Sequence, residues 1–125
     1  MSASSSAAAA YRTAHIENAP PLKLVQMLYE GALRFLDQAE GALAGGEGAR
    51  FQERCLRAMA IVAELRAALD PTQAPELAAN LEALYLFAED GIKDAMRADS
   101  SAPLGAARDV LRTLLDGWKH LETGA

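Results

Sequence analysis

The strongest constraint on this chain is the spacing of its apolar residues, which recur every three or four positions in four long segments. Such spacing places apolar side chains along one face of an α-helix. The predicted helices cover residues 18–43, 48–69, 75 to 97–101, and 103–121, and short links rich in Pro, Gly or Asp separate them. Links this short favour antiparallel neighbours. The sequence therefore predicts an all-α fold, an antiparallel up-down four-helix bundle.

Each segment carries one line of apolar residues on its predicted core face. The lines consist of Val25, Leu28, Tyr29, Ala32, Leu36, Ala39 and Leu43; Phe51, Cys55, Ala58, Val62, Leu65 and Leu69; Leu77, Leu81, Leu84, Ala88, Ile92 and Ala95; and Leu104, Ala107, Leu111, Leu114, Trp118 and Leu121. Further apolar residues, including Met27, Phe87 and Val110, lie off these lines. The line of the third helix is continuous without Tyr85 and Leu86. This surplus predicts that a partner protein covers some of the apolar surface, with Tyr85 and Leu86 among the covered residues.

The composition excludes several classes of function. A net charge of −5 argues against nucleic-acid binding, which needs clustered Lys and Arg. No apolar run reaches the roughly eighteen residues of a membrane span. The single cysteine, Cys55, lies on a core line and fits a packed thiol in a reducing compartment. We therefore expect a cytoplasmic protein that does not insert into membranes.

No pattern in the sequence points to catalysis or metal binding. The two histidines, His15 and His120, lack the Glu three residues earlier that di-iron bundles use. The carboxylates lie on predicted polar faces, where Glu89 and Lys93 are expected to form a surface pair. The prediction is that the chain is not an enzyme and takes no cofactor, metal or small-molecule substrate.

The N-terminus differs from the rest of the chain. After Met1, residues 2–10 are only Ser and Ala, a composition that cannot form a core. Tyr11 and Ile16 are the large apolar residues that precede the first predicted helix. We predict that residues 1–17 form a flexible tail and cap, and that residues 18–125 form the bundle domain.

Three stretches of the sequence resemble the motifs of a known protein family. The first runs from Tyr11-Arg-Thr-Ala-His-Ile16 through Ala19-Pro-Pro21 into Leu24-Val-Gln-Met-Leu-Tyr-Glu-Gly-Ala32. The second is Pro75–Tyr85, with its Asn-Leu-x-x-Leu-Tyr order, and the third is Leu111–Trp118 followed by Lys119. In this order and with these link lengths, the chain resembles the flagellar secretion chaperone FliS family. It departs from the family at Leu86, where Asp is usual, and at Asp90-Gly91, where two arginines are usual.

The resemblance implies a cytoplasmic export chaperone that binds the C-terminal segment of flagellin in an apolar groove. It further implies that the protein prevents premature polymerisation and delivers flagellin to the flagellar type III export apparatus. The residues expected to bind the partner are Tyr11 and Ile16 in the cap, Met27 and Leu28 on the first helix, Asn80, Leu81 and Tyr85 on the third, and Trp118 on the fourth. The alternatives are another helical-bundle binding module or adaptor, and an all-helical enzyme.

Overall fold

The computed structural model describes residues 21–122, which form four helices. Helix α1 spans Pro21–Ala44, α2 spans Gly48–Ala67, α3 spans Pro75–Ala98 and α4 spans Leu104–Glu122. Helices α1 and α3 each pack against both α2 and α4, so α1 and α3 lie diagonally across the bundle. The predicted all-α four-helix bundle is confirmed, and the described residues contain no strand. The predicted cap, residues 1–17, lies outside the described residues.

The link between α1 and α2 shows how the sequence ends a helix. Gly46 has a φ of 77°, a left-handed conformation that glycine adopts without steric cost. This conformation lets the Glu47 amide donate to the Ala42 carbonyl oxygen at 2.8 Å and the Gly46 amide to that of Leu43 at 3.1 Å. These two bonds satisfy carbonyl groups that the end of a helix leaves without partners. The chain then reverses within three residues, and α2 packs back against α1.

The core follows the predicted lines closely on α1 and α2 and less closely on α3 and α4. On α3, Leu81, Ala88, Ile92 and Ala95 are buried as predicted, but Tyr85 is fully buried and Leu84 is exposed. The prediction that Tyr85 lies outside the core is therefore wrong. Residues 84 and 85 flank the same line, one on each side, because successive residues are about 100° apart around a helix. Tertiary packing selects which of the two is buried.

A similar one-residue difference occurs on α4. Leu115 is buried, whereas Leu114, which the pattern assigns to the core, is only partly buried. Leu111 and Trp118 are buried as predicted. The helix therefore turns Leu114 toward the boundary of the core.

A partly buried ion pair joins α2 to α3. The Arg66 Nε atom donates to Glu89 Oε2 at 2.7 Å, and Arg66 Nη2 donates to Glu89 Oε1 at 3.2 Å. Because Glu89 is only 5% exposed, the expected surface pair between Glu89 and Lys93 is wrong. A bidentate guanidinium supplies both charge compensation and hydrogen bonds, which an inward-facing carboxylate requires.

A polar contact also crosses the centre of the bundle from α1 to α3. The hydroxyl groups of Tyr29 and Tyr85 share a hydrogen bond, and the centroids of their rings lie 6.2 Å apart. Trp118 on α4 donates from Nε1 to the Tyr29 hydroxyl oxygen at 2.7 Å. Burial raises the pKa of both tyrosines, although the bond from Trp118 opposes the shift at Tyr29. The two phenols therefore remain neutral at physiological pH.

This geometry predicts that Tyr85 contributes to the free energy of unfolding as a core residue does. Tyr85→Phe keeps the ring but removes the hydroxyl, so we expect the free energy of unfolding to fall by about 1–2 kcal/mol. Tyr85→Ala also removes the buried ring and should cost about 3–5 kcal/mol. Urea denaturation followed by the fluorescence of Trp118, the single tryptophan, measures both effects. A Tyr85→Ala protein as stable as the unmodified chain would contradict the assignment.

Candidate partner-docking groove

Large apolar side chains are exposed at a few positions, and two of those on α3, Leu84 and Phe87, lie one helical turn apart. The exposed large apolar residues among those described are Met27, Leu56, Leu84, Leu86 and Phe87. Phe87 leaves 52% of its surface exposed and Leu84 leaves 37%. Single exposed apolar residues are common on protein surfaces, but a cluster indicates an interaction site.

A pocket of about 240 Å³ lies between α3 and α4 beside this cluster. Leu84, Val110 and Leu114 form its apolar lining, and Asp109 and Thr113 complete it. Asn80 lies one helical turn before Leu84, and Phe87 lies one turn after it. We call these seven residues the α3–α4 groove. The groove is an open apolar surface on the bundle and not an enclosed cavity.

Close contact between the two helices limits the groove at one end. A Cβ atom at Gly91 would lie 3.2 Å from the Pro103 carbonyl oxygen and 3.6 Å from the Ala107 Cβ atom. The absent side chain of Gly91 therefore lets α3 and α4 approach each other there. Two turns earlier on α3, the larger Leu84 stands opposite α4 and the pocket opens. The helices α3 and α4 are thus in close contact at Gly91 and separated by the pocket at Leu84.

The structure distributes the predicted partner-binding residues over several environments. Asn80 is exposed beside the groove, and its amide makes no side-chain hydrogen bond to another described residue. Leu81, Tyr85 and Trp118 are buried in the core beneath the surface. All four residues belong to α3 or α4, but of them only Asn80 is exposed.

The two residues predicted on α1 lie elsewhere. Met27 is 56% exposed and points away from the core line of α1, while Leu28 is partly buried against the core. Because α1 is diagonal to α3, neither residue joins the α3–α4 groove. Tyr11 and Ile16 lie outside the described residues.

Sequence reasoning missed most of the residues that line the groove. The apolar spacing assigns Leu84 and Leu114 to the core lines, and it marks Phe87 and Val110 only as surplus apolar residues. The usable signal was this surplus, since Phe87 and Val110 fit no core line. Leu86 is 42% exposed, as expected for a residue that the core line of α3 does not need.

Two further pockets lie near the start of α3, and the first, of about 390 Å³, is open and lined by Ala74, Pro75, Glu76 and Leu77. A second pocket, of about 160 Å³, lies at the α2–α3 link and includes Arg66, whose charge is already neutralised by Glu89. Within residues 21–122, no group of His, Cys, Asp or Glu could hold a metal ion. Cys55 is buried, and burial raises the pKa of its thiol to about 11. None of the four described helices has the length and hydropathy needed to cross a membrane.

Comparison with known proteins places this fold and groove in context. The family described as flagellar protein FliS matches residues 3–125. The flagellar secretion chaperone FliSB of Pseudomonas aeruginosa is 32% identical over 108 residues, which cover 84% of this chain and 83% of the relative. The flagellar secretion chaperone FliS of Vibrio cholerae is 30% identical over 103 residues, covering 82% of this chain and 76% of the relative.

A more distant relative extends the comparison. The flagellar secretion chaperone FliS of Bacillus subtilis is 27% identical over 111 residues, covering 89% of this chain and 82% of the relative. The resemblance identified from the sequence is thereby confirmed. Because the family is one of chaperones, the prediction that the chain is not an enzyme is confirmed as well. The chain belongs to the flagellar protein FliS family.

Proposed function

We propose that this protein is a flagellar secretion chaperone that holds the C-terminal segment of flagellin in the α3–α4 groove. It binds newly made flagellin in the cytoplasm, prevents premature polymerisation and delivers it to the type III export apparatus. The observation that carries the proposal is the exposed apolar groove around Leu84 and Phe87 on a bundle of the FliS family.

The groove suits an amphipathic helical segment. The terminal segments of flagellin are helical and apolar in the filament but disordered in the monomer, so they need an apolar cover before assembly. An amphipathic helix lying in a groove buries side chains spaced three or four residues apart. Leu84 and Phe87 on α3, with Val110 and Leu114 on α4, have this spacing on facing helices. Their arrangement supports a helix-in-groove mode.

Polar and buried residues support this mode in different ways. Asn80 is exposed beside Leu84, and its amide can both donate to and accept from a partner's backbone. Leu81, Tyr85 and Trp118 are buried, so their proposed role is to fix the positions of α3 and α4 rather than to contact the segment directly. Met27 and Leu28 remain a proposed contact on α1, where a longer segment wrapping around the bundle would reach them.

Phe87 and Leu56 provide a matched test of the groove. Their exposures, 52% and 50%, are nearly equal, but Phe87 lies one turn after the pocket residue Leu84 on α3, whereas Leu56 lies on α2. Phe87→Ala should weaken the binding of flagellin by about 2 kcal/mol, because aromatic anchors commonly dominate interfaces. Leu56→Ala should change affinity by less than about 0.5 kcal/mol. Isothermal titration calorimetry measures both affinities.

Two controls make the result specific. Both variants should keep the melting temperature close to that of the unmodified chain, since both side chains are exposed. Flagellin without its C-terminal segment should fail to bind any of the three proteins. Equal losses of affinity for Phe87→Ala and Leu56→Ala would show that the binding site does not lie in the α3–α4 groove.

The N-terminal segment provides a second test. Helix α1 begins at the end of the bundle where α3 begins and α4 ends, and the segment proposed as a cap joins the described bundle at that end. We propose that Tyr11 and Ile16 cover part of the apolar surface until flagellin binds. Deleting residues 1–17 should then increase the binding of an apolar dye, promote self-association and alter the affinity for flagellin. Dye fluorescence, light scattering and calorimetry that all remain unchanged would disprove the cap.

A further inference from the structure

The pocket between α3 and α4 is large enough to receive one side chain of a partner. Val110 and Leu114 lie one turn apart on α4, and Leu84 on α3 forms the third apolar wall. The volume of the pocket, about 240 Å³, exceeds the roughly 150 Å³ of an apolar protein cavity that binds benzene. Because the pocket opens to solvent, a side chain can enter it while the backbone that carries it stays outside.

The wall of this pocket selects by polarity and size. The polar lining residues, Asp109 and Thr113, are exposed, and the free surface inside the pocket is almost entirely apolar. A charged or amide side chain would lose water there without gaining a hydrogen bond from the apolar walls, which costs free energy. An Ala or Ser side chain would leave most of the volume unfilled and forgo dispersion contacts. The pocket therefore favours a bulky apolar side chain of the size of Leu, Met or Phe.

The two pockets near the start of α3 are built differently. The pocket at the α2–α3 link is smaller, about 160 Å³, and includes the charged residues Arg66 and Glu82. The open pocket of about 390 Å³ includes Glu76. Of these three pockets, the one between α3 and α4 has the most strongly apolar wall, and the exposed Phe87 lies one turn after its residue Leu84. An apolar anchor thus fits best between α3 and α4.

We propose that the flagellin segment inserts one bulky apolar side chain between α3 and α4, and that Val110 sets the size of the side chain accepted. Val110 is the smallest of the three apolar lining residues, so a larger residue there would occupy the space that the anchor needs. This inference rests on the proposed function, because it specifies the anchor that the same groove binds. A single anchor in a pocket also fixes the register of the segment along the groove, since the other contacts are made to an open surface.

The test changes the volume of the pocket in the full chain and uses flagellin from the same organism. Val110→Phe adds a ring at a position that is only partly buried, and thermal melts check that the bundle still folds. Leu84→Ala removes one wall of the pocket from a residue that is 37% exposed, and provides a second variant with the opposite change in volume. Leu56→Phe adds a ring to the exposed surface of α2 and is the matched control. Calorimetry measures the affinity of each protein for flagellin.

We expect Val110→Phe to weaken flagellin binding about tenfold or more and Leu84→Ala about three- to tenfold, while Leu56→Phe leaves the affinity unchanged. Replacing the apolar residues of flagellin's C-terminal segment with Ala, one at a time, then identifies the anchor. For the anchor residue the effects of the two changes should not add. Val110→Phe should weaken the binding of that Ala-substituted flagellin by less than about twofold.

Three results would contradict this inference or its basis. Affinity that Val110→Phe and Leu84→Ala leave unchanged, with Phe87→Ala still impaired, would overturn the anchor inference alone; if self-association also fell, the pocket would belong to a second copy of the chain. Additive losses for every apolar residue of the segment would overturn the anchor inference as well. Failure of the unmodified chain to bind flagellin would overturn the proposed function, and the anchor inference with it.

Discussion

The hydrogen-bonded contact between Tyr29 and Tyr85 fixes how α3 is rotated, and the location of the groove depends on that rotation. With Tyr85 directed across the bundle toward α1, Leu84 is rotated by about 100° toward α4, and Phe87 by about 200° toward the outside. Trp118 binds the same hydroxyl and ties α4 to the pair. The core network therefore determines which apolar residues of α3 remain available to a partner.

The packing of α3 and α4 gives the groove its extent. Around Gly91 the helices approach so closely that an added Cβ atom would press on the Pro103 carbonyl oxygen. Around Leu84 the same helices leave a pocket lined by Val110 and Leu114. Leaving these side chains partly in water forgoes the roughly 25 cal/mol per Å² that their full burial would contribute. In the proposed function, this free energy is regained when the partner segment covers the groove.

Ion pairs cross two of the helix–helix contacts. Asp37 and Glu40 on α1 pair with Arg108 on α4, and Glu30 on α1 pairs with Lys119 on α4. Glu89 on α3 pairs with Arg66 on α2. These pairs join neighbouring helices, whereas the pocket between α3 and α4 is lined mainly by apolar side chains.

The sequence by itself determined the four helices, their links and most of the core, because these follow from local periodicity, glycine and proline. It also contained the ordered motifs of the FliS family and a surplus of apolar residues, with Phe87 and Val110 among them. It could not decide between Leu84 and Tyr85 for the core, since both flank the same helical line and both are large and apolar. Only the tertiary structure decided this, because the hydroxyl of Tyr85 meets that of Tyr29 on a helix 56 residues away in the chain. The pairing of Glu89 with Arg66 also could not be predicted from local spacing. Helical spacing brings Lys93 near Glu89, but the packing of α2 against α3 places the partly buried Arg66 there, with two hydrogen bonds to the carboxylate.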